Sequence, residues 1–210
     1  DERELIGTIY NKESIEKAKE MGIKAAAEKL PQIYNRIATL DQKYNNLIFF
    51  CARGGLRSSS LVSLFKTLGI HAHKLDGGYK KYRKYINRTL PKVVEGVRFI
   101  VLYGNTGTGK THILENIEKM GHDIIDLEGC ANHRGSLLGG VGLGKPNTQK
   151  MFESMLYESL KTRKTNTVYI EGESKKIGRV VIPGFIYDSM NNGIALKIEA
   201  GIEARIDNIL

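Results

Sequence analysis

The sequence predicts two α/β domains in succession, each built on a parallel sheet. Short apolar runs recur along the chain, each followed by a loop and then by a segment with apolar residues at helical spacing, and this alternation is typical of a parallel α/β sheet. Pro91 interrupts the alternation, and a second series begins after it. The 210 residues, 41% of them hydrophobic and 26% charged, suffice for one large or two small domains with buried cores.

The first predicted domain covers residues 1–90. Apolar residues at helical spacing among Lys and Glu predict its first helix, and the run LIFF is typical of a buried parallel strand. Ser58 is expected to cap the next helix and Gly69 to end it. In chain order the elements are a helix (11–40), a strand (47–50), a loop (51–57), a helix (58–69), a strand (71–75), a turn (76–78) and a helix (79–90).

The second predicted domain covers residues 91–210, with the boundary near 91–96. Its long connection over 128–147 contains NHRGS and exceeds a routine linker, so we expect it to be functional. In chain order the elements are a strand (97–103), a glycine loop (104–111), a helix (112–121), a strand (123–127), the long connection, a helix (148–163), two strands (167–173 and 178–183), a helix (184–191), a strand (194–200) and a helix from about residue 201.

The net charge and the number and spacing of the cysteines limit which classes of function the sequence predicts. A net charge of +9 favours an anionic partner such as phosphate or nucleic acid. The two cysteines are too far apart for a CxxC metal pair and give no disulfide framework, so no metal-ligand set is predicted. Free thiols fit a reducing cytoplasm, the expected location. No apolar stretch is long enough to predict a membrane span or a membrane partner.

A phosphate-binding loop is predicted between the strand at 97–103 and the helix that follows. The sequence matches GxxxxGK[ST] at every fixed position, and glycines there let backbone N–H groups converge on one anion. Lys110 would reach the terminal phosphate, and the Thr111 hydroxyl would bind Mg²⁺ where a metal is used. A diphosphate ester fits this loop as well as a nucleoside triphosphate does. The loop consists of Gly104, Asn105, Thr106, Gly107, Thr108, Gly109, Lys110 and Thr111.

Four carboxylates are candidates for the same site. Asp126 and Glu128 follow one predicted strand, and Glu171 and Glu173 end another. Open α/β sheets bind their ligands at the carboxyl ends of the strands. We therefore expect one member of each pair to contact a metal ion or a water molecule, with the other a solvated turn residue.

Cys51 begins a second candidate loop, CARGGLRS. Inward backbone N–H groups, with Arg53 or Arg57 nearby, would lower the pKa of its thiol and give a nucleophilic thiolate, although many cysteines beside apolar strands are inert. The spacing CxxxxxR before Ser matches the loop of cysteine-dependent phosphatases. CARGGLRS followed by LDGGY resembles the rhodanese (sulfurtransferase) domain, in which such a turn packs beside the cysteine. The loop by itself is compatible with a cysteine phosphatase and with a rhodanese-like sulfurtransferase.

The order of motifs resembles the bacterial tRNA 2-selenouridine synthase family, from about Asn46 to about Asp207. The motifs are CARGGLRS, LDGGYKKYR, YGNTGTGKT, DLEGCANHRGS, QKMFE and IEGESKKIGRVVIP. The resemblance implies an incomplete rhodanese-like parallel sheet domain followed by a P-loop NTPase-like parallel α/β domain. Both ends look incomplete beside the family, so the chain is expected to be a fragment.

The family's chemistry supplies the functional expectations. The resemblance implies that wobble 2-thiouridine of tRNA becomes 2-selenouridine through an S-geranyl form. Selenophosphate and geranyl diphosphate would be co-substrates, with no tightly bound cofactor, and a selenophosphate-producing enzyme a partner. Cys51 would hold or deliver selenium, Arg134 would neutralise phosphate charge, and Cys130 would be structural. The other residues in family motifs are Ser136, Glu171, Glu173 and Lys175.

A basic segment is the candidate tRNA contact. Its tyrosines can stack on unpaired bases of an anticodon loop and its cations can meet phosphates, or Tyr79, Tyr82 and Tyr85 can form an ordinary packing stripe. The segment comprises Lys80, Lys81, Tyr82, Arg83 and Lys84, with Arg88 and Lys92 further along. His133, inside NHRGS, is the one histidine that we expect near a site.

Three other functions stay open from sequence. The first is an NTP-dependent kinase or NTPase with a vestigial cysteine loop, and the second is a non-catalytic RNA-binding fragment. A cysteine phosphatase is the third, and it would leave the phosphate loop without a purpose.

Overall fold

The computed structural model describes residues 2–136 and 139–208. Residues 1 and 210, which bound the predicted domains, lie outside the described residues, as do 137, 138 and 209. The helices are α1 (Glu2–Lys12), α2 (Ile15–Lys43), α3 (Leu56–Thr67), α4 (Gly78–Val94), α5 (Lys110–Lys119), α6 (Leu127–Ala131), α7 (Gln149–Thr162), α8 (Gly184–Asn191) and α9 (Ile202–Asp207). The strands are β1 (Leu47–Phe49), β2 (Ala72–Lys74), β3 (Arg98–Tyr103), β4 (Asp123–Ile125), β5 (Thr167–Glu171), β6 (Lys176–Ile177), β7 (Val180–Val181) and β8 (Ile194–Lys197).

The first compact unit, residues 1–81, has a small parallel sheet of β1 and β2 in which Leu47 pairs with Ala72. Phe65 of α3 is fully buried in the core beside these strands. The predicted helix over 11–40 is instead two helices, because Ser14 caps α2 by accepting a hydrogen bond from the backbone N–H of Lys17. The parallel α/β prediction is confirmed here, while the rhodanese-like assignment stays a prediction.

The second compact unit, residues 82–210, has a four-stranded sheet in the order β4-β5-β3-β8, and every pairing is parallel. Phe99 and Val101 of β3 are fully buried, with α7 supplying Phe152, Leu156 and Leu160 to the same core. The loop after β3 therefore lies at the carboxyl edge of the sheet, as predicted. The predicted strand over 178–183 is shorter and pairs antiparallel with β6 as a hairpin.

Pro91 does not mark a boundary, and this prediction was wrong. It lies inside α4, and the compact units divide earlier, between Lys81 and Tyr82. Ile86, Leu90 and Val94 are buried in the core of the second unit. Residues four apart share one face of a helix, so this buried face offsets the hydrogen bond that proline cannot make.

Ser58 does not cap α3, which begins at Leu56 with Gly55 as its N-cap. Ser58 instead lies in the first turn, where it is buried and its hydroxyl oxygen lies 3.1 Å from the carbonyl oxygen of Gly55 and 3.3 Å from Sγ of Cys51. The predicted strand over 123–127 also ends early, because Asp126 caps α6 by accepting a hydrogen bond from the N–H of Gly129.

Candidate functional site

The cysteine loop is closed by the glycine turn that follows β2. The N–H of Tyr79 donates to the carbonyl of Cys51 at 3.0 Å, and the N–H of Lys80 donates to that of Ala52 at 2.9 Å. Gly78 has a φ of +58°, and a Cβ there would lie 2.2 Å from the carbonyl oxygen of Cys51. Only glycine fits such an approach. The turn thus packs beside the cysteine, which is the arrangement that the resemblance implies.

Cys51 is held as a thiolate at neutral pH. Burial alone would raise the pKa of this thiol, but hydrogen bonds from the Ser58 side chain and from the backbone of Arg53, Gly55 and Ser58 outweigh burial and lower the pKa to about 6. The Sγ atom lies 3.3 Å from the Ser58 hydroxyl and 3.2 Å from the N–H of Gly55. The thiol is therefore nucleophilic and partly accessible.

The two arginines of this loop were predicted to lie near the thiol and to lower its pKa. Both side chains, Arg53 and Arg57, are exposed, whereas the hydrogen bond attributed to Arg53 comes from its backbone. Their catalytic role stays a prediction. Ser58 was not predicted as a partner of the thiol, although it lies seven residues after Cys51 and directly after Arg57 in the motif.

Ser58→Ala is expected to raise the pKa of Cys51 by about one unit, because a hydrogen bond to a charged group contributes about 1.5 kcal/mol and one pKa unit corresponds to about 1.4 kcal/mol. The pH dependence of alkylation by iodoacetamide measures this. Reactivity should rise through pH 6 in the wild type and at higher pH in the variant. The exposed Ser60→Ala is the matched control, and an unchanged profile in Ser58→Ala would refute the role of the hydroxyl.

The phosphate loop joins β3 to α5 in the predicted way. Gly107 and Gly109 have φ values of +80° and +82°, which favour glycine, and Gly109 is the N-cap of α5. Lys110 folds back so that its Nζ donates to the carbonyl of Gly104 at 2.9 Å. The remaining loop residues, Asn105, Thr106 and Thr108, complete the turn, in which the Thr108 hydroxyl donates to the carbonyl of Asn105.

Glu171 is the buried carboxylate of this site. It is 0% exposed and accepts hydrogen bonds from Thr111 Oγ1 at 3.0 Å and from the N–H of Glu128 at 3.2 Å. Burial, together with the nearby charges of Asp126 and Glu128, raises its pKa to about 7. Glu171 can therefore gain or lose a proton near neutral pH while in contact with the P-loop threonine.

Glu173 and the NHRGS segment lie at the same site. Burial is the main cause that raises the pKa of Glu173, and the charge of Glu128 adds to it. Lys110, whose Nζ lies 3.9 Å from Glu173 Oε1, lowers the pKa. The N–H of Gly135 donates to Glu128 Oε1 at 2.7 Å, and a Cβ on Gly135 would lie 2.0 Å from Glu173 Oε2. The NHRGS segment therefore lies beside the carboxylates of Glu128 and Glu173. Arg134, also in this segment, is exposed and Ser136 is half-buried.

Three other residues named from the sequence have different surroundings. Lys175 is exposed, with Nζ 5.8 Å from the ring centre of Tyr187, and among the described residues its side chain forms no hydrogen bond or ion pair with the phosphate loop. His133 packs against Gly178, and its Nδ1 is buried without a hydrogen-bond partner in the described part of the chain. Cys130 is buried, which raises the pKa of its thiol to about 12. The thiol therefore stays protonated at neutral pH, in agreement with a structural residue.

The oxygen donors near the loop fit Mg²⁺ in kind, because Mg²⁺ prefers hydroxyl, carboxylate and phosphate oxygens. Thr111 would be the protein ligand of an ion that arrives with phosphate. Across residues 2–136 and 139–208, no group of three or more His, Cys, Asp and Glu is arranged to hold a metal by itself.

Arg83 is not available to the predicted nucleic-acid contact. It is 9% exposed, forms an ion pair with Glu153, and donates to Asn87 Oδ1, to Ser154 Oγ and to the carbonyl of Lys150. Burial of a guanidinium requires such partners. Tyr82 is half-buried, whereas five cations of α4 are exposed, namely Lys80, Lys81, Lys84, Arg88 and Lys92.

Arg83→Ala is expected to lower the free energy of unfolding by about 3 kcal/mol, because it leaves a largely buried carboxylate unpaired. Lys84→Ala, at the neighbouring exposed position, should change it by less than about 0.5 kcal/mol. Chemical denaturation measures both. If Arg83→Ala kept the wild-type stability but bound tRNA more weakly, Arg83 would be a nucleic-acid contact and not a structural residue.

A family model and similar proteins over the whole chain indicate the same family. A family model described as the tRNA 2-selenouridine synthase AAA domain matches residues 97–210, more than half of the chain. Proteins named tRNA 2-selenouridine synthase from Nitrosomonas europaea and Shewanella woodyi are 30% and 33% identical over the whole of this chain. The chain spans 55% and 56% of their lengths.

One solved structure is also similar. The N-terminal domain of a Clostridium difficile 630 protein, provisionally named an ATP/GTP binding protein, matches 40% of this chain and 66% of its own length, at 40% identity and a TM-score of 0.40. Separately, none of the helices in the described residues combines the length and apolarity of a membrane span.

Proposed function

Because the chain belongs to the tRNA 2-selenouridine synthase family, we propose that it acts in replacing the sulfur of wobble 2-thiouridine with selenium from selenophosphate. The proposal includes S-geranyl-2-thiouridine, made with geranyl diphosphate, as the intermediate. It also includes a cytoplasmic location and a partner enzyme that supplies selenophosphate. Since the chain covers little more than half of its relatives, the activity in their names is carried over only as part of this proposal.

The observation that carries the proposal is the thiol of Cys51, which its hydrogen bonds keep ionised at neutral pH with a pKa of about 6. A thiolate is the form of cysteine that can hold or deliver selenium. We assign selenium delivery to Cys51 and a rhodanese-like character to the unit around it. A cysteine phosphatase would use the same loop but would leave the phosphate loop unexplained.

The phosphate loop suits the first transfer. The sulfur of 2-thiouridine attacks the C1 carbon of geranyl diphosphate, the C–O bond breaks, diphosphate leaves, and the base loses its N3 proton to water. Lys110 and the loop amides would stabilise the charge on the departing diphosphate. Alkylation makes the sulfur a better leaving group, which is the physical reason for a geranyl step.

The second transfer consumes the intermediate. The thiolate of Cys51 attacks the phosphorus of selenophosphate, the P–Se bond breaks, and the hydrogen selenide anion that leaves adds to C2 of the base. Water then hydrolyses the S-phosphocysteine, which releases phosphate and restores the thiolate. The C2–S bond then breaks, and the sulfur leaves as geranylthiol with one proton. Both co-substrates carry phosphate, so one phosphate loop serves them without hydrolysing a nucleotide. The exposed cations of α4 are our candidates for holding the tRNA.

One observation favours a second function, an NTPase. Glu171 contacts Thr111 and has a pKa of about 7, as a base beside an Mg²⁺-nucleotide would. Calorimetry with geranyl diphosphate, combined with phosphate release from ATP in the presence and absence of RNA, separates the two. We expect geranyl diphosphate to bind and ATP to turn over slowly or not at all. Fast ATP turnover without geranyl diphosphate binding would favour the NTPase.

A further inference from the structure

Arg205 of α9 and Asn208, the C-cap residue of that helix, hold two carbonyl groups of the phosphate loop. Nε of Arg205 donates to the carbonyl of Thr106 at 3.0 Å, and Nδ2 of Asn208 donates to that of Gly107 at 2.9 Å. Residues three apart lie on one face of a helix, so a single turn presents both donors. None of the residues of α9 is buried, and Arg205 is the half-buried one. Its contact with the loop is therefore largely polar.

These bonds fix the orientation of two peptide planes. A trans peptide is planar, so its carbonyl and its N–H point to opposite sides. Holding the carbonyl of Thr106 toward α9 turns the N–H of Gly107 away from α9. Holding the carbonyl of Gly107 likewise turns the N–H of Thr108 away from α9. That N–H points into the loop and donates to the carbonyl of Asn105 at 3.2 Å.

A glycine loop needs such external restraint. Gly107 has a φ of +80°, and glycine adopts many other backbone conformations at little cost. A loop that is free to reorient its amides must be ordered by its ligand, which lowers affinity, whereas a loop held in the binding geometry avoids that cost. Arg205 also adds a positive charge beside the loop, while Asn208 adds none.

We propose that Arg205 and Asn208 are positioning residues that preorganise the phosphate loop for a diphosphate group. The inference rests on the proposed function, because it takes an anionic phosphate ligand as the occupant of the loop. It assigns the segment after β8 to that site, which the sequence motifs did not include.

Binding of inorganic pyrophosphate to the 210-residue chain, measured by calorimetry, tests the inference. Arg205→Ala should bind about tenfold more weakly and Asn208→Ala about fivefold, from the loss of one charged and one neutral hydrogen bond. Arg98→Ala is the matched control, since Arg98 is an exposed arginine at the first residue of β3, away from the loop. It should bind as the wild type does.

A denaturation curve of each ligand-free variant separates positioning from general stability. The inference holds if affinity falls while the unfolding midpoint of Asn208→Ala stays at that of Arg98→Ala, and if the Asn208→Ala loss persists at high salt. It fails if both variants bind like the wild type, or if affinity falls only in step with lost stability. Absence of binding in the wild type and in Arg98→Ala would overturn the proposed function itself.

Discussion

Cys51→Ser is expected to lower selenium incorporation into tRNA by at least about a hundredfold and to leave geranylation close to wild type. A serine hydroxyl stays protonated at neutral pH, so it cannot replace a thiolate that carries or delivers selenium. Alkylation of the tRNA sulfur requires diphosphate departure and does not obviously need the thiol. Mass analysis of the modified nucleosides, run separately with each co-substrate, measures the two steps.

Cys130→Ala is the matched control for this variant. Cys130 is buried with a pKa near 12, so its removal should spare both reactions and cost only stability. If Cys51→Ser stopped geranylation as completely as selenation, the division of roles between the cysteine loop and the phosphate loop would be wrong. Selenium transfer by Cys51→Ser at the wild-type rate would show that Cys51 does not take part in the reaction.

Lys110→Ala is expected to reduce geranyl diphosphate use by about 10²–10³-fold, the usual cost of removing one donor that stabilises developing negative charge. The fold should survive, because the contacts of Nζ are one loop carbonyl at 2.9 Å and Glu173 at 3.9 Å. Loss of Lys110 also removes the charge that lowers the pKa of Glu173, so that carboxyl should hold its proton to higher pH. Rates of diphosphate release across a pH series measure both effects.

Lys119→Ala, at the exposed last residue of the same helix, controls for the loss of one positive charge. It should keep the wild-type rate. A Lys110→Ala protein that released diphosphate as fast as Lys119→Ala would show that the loop does not act on the diphosphate, and the assignment of the site would have to move.

Local patterns predicted the parts of each site that are continuous in sequence. GxxxxGKT between a strand and a helix predicted the phosphate loop, and Cys51 after an apolar strand predicted a reactive thiol. In each case the predicted groups are sequence neighbours, because the glycines of a short loop and the N-terminus of the helix that follows supply its converging N–H groups.

Distant contacts could not be predicted from such patterns. Arg83 lies in a basic run typical of an RNA contact, yet its ion-pair partner Glu153 is 70 residues away on α7. Arg205 and Asn208 meet loop carbonyls 99 and 101 residues earlier. Pro91 predicted a break, but the apolar face that overrides it is defined by the core of the second unit. Spacing along the chain carries no information about which distant segments pack together.

The mass of the wobble nucleoside, after the chain is incubated with 2-thiouridine tRNA, geranyl diphosphate and selenophosphate, tests the proposed reaction directly. We expect S-geranyl-2-thiouridine when selenophosphate is left out and 2-selenouridine when both are present. Unchanged 2-thiouridine in both reactions, with a folded chain that binds the tRNA, would contradict the proposed reaction and leave a non-catalytic RNA-binding protein as the better explanation.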